Sequence, residues 1–154
     1  MTQTAKRRSR RGATAVEVAI VLGLVFVFLF GIFEYGRYLM VLNLAEYATR
    51  EGARFASPQF TANKTQAELD TIADEVKQAT KDAMGGQDKQ IDGFLVTFVR
   101  LNPTTGADEG AWSSAKFGEP MAVRITGTYR PIVSLVFPAS VPIRVQSSVS
   151  SEAN

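Results

Sequence analysis

An α+β fold is predicted: a long N-terminal transmembrane helix followed by a small exported head, built from one amphipathic helix and a three-stranded antiparallel sheet. Three observations carry this. Val18 to Phe33 is a run of sixteen uncharged, mostly apolar residues, close to the roughly 20 that a helix needs to cross a bilayer core of about 30 Å. After Ser57-Pro58 the apolar residues recur first at helical spacing and then at strand spacing. The 154 residues, 45% hydrophobic and 21% charged, amount to one ordinary folded domain or less.

What is missing narrows the function. With no Cys and no His, disulfide staples, thiolate sites, the commonest general base and the commonest metal ligand are all excluded. A membrane-tethered hydrolase would have only carboxylates, Lys, Tyr or Ser to work with, so no enzyme is expected. The formal net charge of +2 hides an asymmetry. Lys6, Arg7, Arg8, Arg10 and Arg11 crowd the first twelve residues, and the remainder holds 12 cations against 15 anions, a net of −3. The basic balance belongs to a leader and not to the body, so no nucleic-acid partner is expected.

The N-terminal third divides at Gly12 into a basic leader, residues 1–12, and a helix over 13–56 with its membrane span at about 13–33. Five cations precede the span, whereas Glu34, Arg37 and Glu46 follow it. The positive-inside rule then keeps the N-terminus cytoplasmic and exports the head, 57–154. A cleaved secretory signal needs small residues after the apolar run, and Gly31-Ile32-Phe33-Glu34-Tyr35 is bulky there. Ser9-Arg10-Arg11 lacks the apolar follow-on of a twin-arginine signal. A permanent single-pass anchor presenting a binding head is the plain reading. A richer one follows from the order of features: cationic leader, Gly12, Ala13-Thr14-Ala15-Val16, Glu17, then the apolar run. That order resembles a class III signal, cut between Gly12 and Ala13 before the apolar run, so that the helix is kept.

Glu17 is the residue that needs explaining. A carboxylate at the bilayer centre costs about 2.5–3.5 kcal/mol on the mildest scale. Glu17 is six residues past Arg11, about 9 Å along a helix, so it falls near an interface. Cleavage would create an α-ammonium on Ala13, one helical turn away on the same face. Glu17 would pair with it, or with the ammonium of a neighbouring subunit. In an apolar bundle the second pairing selects one axial register, because an unpaired buried charge is costly.

Beyond the span, Tyr35, Leu39, Leu42, Ala45 and Ala48/Thr49 continue the helical spacing up to the stop at Ser57-Pro58. Residues 13–56 make roughly 66 Å of helix, about half of it projecting from the membrane. Gly23, Gly31, Gly36 and Gly52 interrupt it.

Three blocks now stand in order: Gly12-Ala13-Thr14-Ala15-Val16-Glu17, Gly31-Ile32-Phe33-Glu34-Tyr35-Gly36-Arg37 and Ala48-Thr49-Arg50-Glu51-Gly52-Ala53-Arg54. Together they resemble the TadE-like family, pseudopilins of the tight-adherence (Tad) pilus, a type IV pilus system. Val18 stands where the family usually has an aromatic residue and Gly23 where it usually has proline. The resemblance implies a pilin-like helix, leader cleavage at Gly12-Ala13 by a prepilin peptidase, and a minor role in assembling a surface filament used in adhesion. The implied partners are that peptidase, the major pilin and other pseudopilins, the inner-membrane assembly platform and membrane lipid. It implies no cofactor, metal or catalytic residue.

In the head, Thr65 to Met84 reads as an amphipathic helix with the stripe Leu69, Ile72, Val76, Ala79 and Ala83. Thr65 and Glu68 have capping-box spacing, and Gly85-Gly86 closes the helix. Asp70, Asp74, Glu75 and Asp82 fall mostly off the stripe and read as a solvated face rather than a Ca²⁺ loop. Three strands follow. Gly93 to Leu101 is apolar on both alternating sets and is expected in the sheet centre or covered on both faces. Met121 to Arg130 is half-buried, with Gly127 as the expected bulge. Val141 to Val149 is an expected edge strand because of Pro142. Trp112 lies in the long connection Asn102 to Pro120 and is expected to fold back on its own domain. Pro131 to Ser140 is an apolar crossover, expected to pack beside the membrane-proximal helix or a partner. A Tyr129-Arg130-Pro131 turn extends the family resemblance faintly into the head.

Overall fold

One helix, α1, runs unbroken from Arg8 to Ala56, 49 residues. The computed structural model describes residues 8–59, 64–112, 118–133 and 140–150, with side chains from residue 12 onward. After α1 come a single 3-10 turn (Ser57–Gln59), helix α2 (Gln66–Ala83), a second 3-10 turn (Gln87–Gln90) and four strands. These are β1 (Ile91–Leu101), β2 (Asp108–Ala111), β3 (Pro120–Tyr129) and β4 (Val141–Ser150). All pair antiparallel in the order β2-β1-β3-β4. The C-terminal half of α1 and the buried face of α2 cover one face of this sheet.

The sheet therefore has four strands where three are predicted. The added one, Asp108-Glu109-Gly110-Ala111, is four residues long and exposed throughout. It carries no apolar alternation, so its pairing to β1 leaves no trace in local sequence. Two strand placements hold, whereas β3, expected half-buried, is buried continuously from Met121 to Ile125, Arg124 included. β1 lies inside the sheet, and β4, with Pro142, lies at an edge. β3 and β4 are antiparallel neighbours, paired without interruption from Pro120↔Ser150 to Tyr129↔Val141, which is not a crossover; of the apolar stretch expected to pack beside the membrane-proximal helix or a partner, residues 134–139 lie outside the described residues.

The bulge sits in β1 and not at Gly127. Between Asp92↔Thr128 and Leu95↔Thr126, the two residues Gly93 and Phe94 stand opposite the single Gly127. Gly93 takes the left-handed φ of +64° that this kink requires. Gly127 is needed for another reason: a Cβ there would lie 2.3 Å from the Ile91 side chain and 3.0 Å from the Asp92 carbonyl.

α2 begins as its sequence dictates. The Thr65 hydroxyl accepts from the Glu68 N–H, and Glu68 Oε2 accepts the Thr65 N–H at 2.7 Å, satisfying two donors that a helix start otherwise leaves open. Ile72 and Val76 of the expected stripe are buried, joined by Ala73 and Thr80, while Asp70, Asp74, Glu75 and Asp82 face solvent.

The core is formed by Val41, Ala45, Ala48, Ala53 and Ala56 of α1, Ile72 and Val76 of α2, and Val96, Val123, Ile125, Ile143 and Val145 of the sheet. Small α1 residues let the helix lie close to its neighbours. Gly52 is the tightest point, where a Cβ would stand 2.1 Å from Thr80 Oγ1 and 3.5 Å from a Val123 methyl. The buried row of α1 starts at Glu34 and passes Tyr38, Val41 and Ala45. Tyr35, expected in the stripe, is exposed, and Leu39 and Leu42 are only half-buried. The row is displaced because its first member is an acid, which hydropathy assigns to solvent. Trp112 packs edge-on against Phe98, ring centroids 5.9 Å apart, on its own domain as expected.

Candidate functional site: the apolar rod and its junction with the head

From Gly12 to Phe33 every residue of α1 is exposed except the half-buried Val27 and Gly31. The large bare side chains are Val, Ile, Leu and Phe, among them Ile20, Phe28, Ile32 and Phe33. These 22 residues span roughly 33 Å of helix, close to a bilayer core of about 30 Å. The segment is long and apolar enough to cross a membrane and is the candidate anchor.

Gly12, Ala13 and Glu17 are all exposed on this rod, outside the packed core. Of the leader cations, Arg8, Arg10 and Arg11 fall on the first turns of α1, and Lys6 and Arg7 lie outside the described residues.

Burial begins at Glu34, which is only 2% exposed, while Tyr35 and Gly36 beside it stay exposed. Tyr129 at the end of β3 donates its hydroxyl hydrogen to Glu34 Oε1 at 2.6 Å. Arg37, one turn along α1, approaches the same oxygen at 3.2 Å and donates from Nε to the Tyr129 hydroxyl at 2.9 Å. The other carboxylate oxygen, Oε2, accepts the Val133 N–H at 3.3 Å. Arg37 also reaches the Arg130 carbonyl at 3.3 Å, and the Tyr38 ring meets Tyr129 edge-on at 5.4 Å.

Burial, and then the hydrogen bond given to the Glu34 carboxylate, pushes the Tyr129 hydroxyl pKa up from its ordinary value near 10. Tyr129 stays a neutral donor, and the carboxylate accepts on both of its oxygens. Chemically this is a clamp. It joins the last turn of the bare rod to the end of β3 and to the connection that follows.

A second charged cluster holds the outer face of the sheet. Arg124, 7% exposed, forks onto Asp108 at 2.8 and 2.7 Å and also reaches Gln146 Oε1. These bonds tie β2, β3 and β4 together across β1, and the hydrogen bonds from Arg124 hold the Asp108 carboxyl below its usual range.

Residues 12–54 match the family model described as TadE-like protein. This segment is similar to that family. No curated protein and no solved structure matches the chain. The TadE-like segment covers the bare rod and nearly all of the core-forming half of α1, and it stops short of α2 and the sheet. Glu34 and Arg37 lie inside it; Tyr129 and Val133, their partners, lie outside. The sequence blocks around Glu34 and around Tyr129-Arg130-Pro131 thus meet in space. Local sequence does hint at Glu34, an acid with Arg37 three residues on directly after the apolar run, but nothing local names a partner 95 residues away.

Proposed function

We propose that this chain is a minor pseudopilin of a Tad-type pilus, acting mechanically rather than catalytically. It resides in the cytoplasmic membrane with its N-terminus inside and its head outside. A prepilin peptidase removes the leader after Gly12, and the kept rod then packs against the major pilin and other pseudopilins on the inner-membrane assembly platform. Glu17 pairs with a subunit ammonium and sets the axial register.

The observation that carries this reading is the continuity of the TadE-like helix from bare rod into buried core. A cut after the apolar run, as in ordinary secretion, would fall at residues 31–35, beside Glu34, and part the bare rod from the core-forming half of α1. A cut after Gly12 leaves clamp and core whole. Gly12 also lowers the cost of opening the helix at that bond, by about 1 kcal/mol relative to Ala.

N-terminal sequencing of the protein purified from cells with an active pilus system is the test. A start at Ala13 supports the proposal. A start at Met1 or Thr2 replaces it with a permanent anchor presenting a binding head.

A further inference from the structure

We infer that the head touches the membrane a second time, through an interfacial contact at Ile132 beside the foot of the clamp. The inference rests on the membrane reading of α1 and adds a lipid-facing corner to the head.

Ile132 is 74% exposed, the most exposed large apolar side chain described outside α1. Its height above the membrane is fixed by its neighbour. The Val133 N–H is bonded to Glu34 Oε2 at 3.3 Å, so Ile132 lies within about one helical turn, roughly 5.4 Å, of the level of Glu34. That level is where the bare apolar rod ends. With residues 12–33 filling a core of about 30 Å, Glu34 marks its outer boundary. Phe33 on the rod, 76% exposed, reaches the same boundary.

The surrounding chemistry fits a headgroup layer. Arg130, two residues before Ile132, is exposed while ion-paired with Asp92, and Arg37 is directed to the Arg130 carbonyl. Cationic heads above apolar side chains are the arrangement that lipid interfaces favour. Pro131 fixes φ just before Ile132 and has no N–H to leave unsatisfied in the layer. Lipid is the occupant because the surface continues the one already matched to a bilayer, at the same depth.

The chain has no cysteine, so Phe26→Cys, Ile132→Cys and Leu95→Cys each give a single site for a nitroxide label. Each full-length variant is reconstituted at low density in phosphatidylcholine vesicles. Collision with oxygen, which enters lipid, is compared with collision with a nickel chelate, which stays in water. All three side chains are exposed, so labelling leaves the core intact. Position 26 should read as lipid, position 95 as water, and position 132 between them with oxygen favoured. A label at 132 that matches 95 overturns the inference while leaving the anchor in place. Low access to both reagents at 132, the mark of protein contact, also overturns it. Failure of the vesicles to carry the protein on flotation, or a water-like label at 26, overturns the membrane reading and the inference with it.

Discussion

Glu34→Ala is expected to destabilise the head by about 3 kcal/mol. The carboxylate is buried and receives hydrogen bonds or charge from Tyr129 at 2.6 Å, Arg37 at 3.2 Å and Val133 at 3.3 Å. Removing one partner of a buried ion pair costs about 3–5 kcal/mol, and a buried group left unsatisfied about 1–3 kcal/mol. The lower part of that range applies. Arg37 is partly solvated and still donates to the Tyr129 hydroxyl, and alanine returns a few tenths of a kcal/mol through helix propensity. Against a typical domain stability of about 5–15 kcal/mol this is a large loss. Urea unfolding of the full chain in mild detergent reads it out through the single tryptophan, Trp112, which is packed on Phe98. The midpoint should fall with the slope unchanged. A cycle with Tyr129→Phe should give a coupling of about 1–3 kcal/mol. A change below about 0.5 kcal/mol, the level of ordinary surface substitutions, would refute the clamp.

Four further outcomes are expected. Gly52→Ala should cost about 1–3 kcal/mol by overpacking against Thr80, whereas Gly36→Ala, with nothing within 4 Å of its Cβ, should stabilise by up to about 1 kcal/mol; thermal melts compare the two. Because Arg124 lowers the Asp108 pKa, the stability Asp108 adds is complete above the ordinary Asp value of about 3.9 and is lost as pH falls through its lower folded value. Unfolding midpoints of Asp108→Asn should accordingly vary less with pH in that acid window than those of the parent chain. Gly12→Leu should block leader removal, since a bulky side chain would then stand beside the cut, leaving a heavier band on immunoblots. Glu17→Ala should be processed normally but be missing from sheared filaments; normal incorporation would dismiss the register role.

The sequence is most legible where neighbours along the chain decide the outcome. The α2 capping box, the Gly85-Gly86 stop and the end of α1 before Ser57-Pro58 each depend on contacts within a few residues, and each stands where expected. The apolar rod is legible because its length alone is informative. Legibility fails where the deciding partner is remote. Glu34 reads as a flank charge until Tyr129 and Val133 arrive from the far end of the chain. The β2 residues Asp108 to Ala111 become a strand only because β1 offers an edge and Arg124 holds Asp108. Gly127 is recognisable as special, but only the β1–β3 register shows that the extra residue lies across from it.

The absence of any break in α1 between rod and core has a geometric consequence. There is no swivel at the membrane surface, so the compass bearing of the head is dictated by how the rod is turned. A helix advances about 100° and about 1.5 Å per residue. Each residue added or removed between Phe33 and Glu34 would therefore swing the sheet by more than a quarter turn around the membrane normal. Any partner that grips the rod thereby also decides which side of the sheet its neighbours meet.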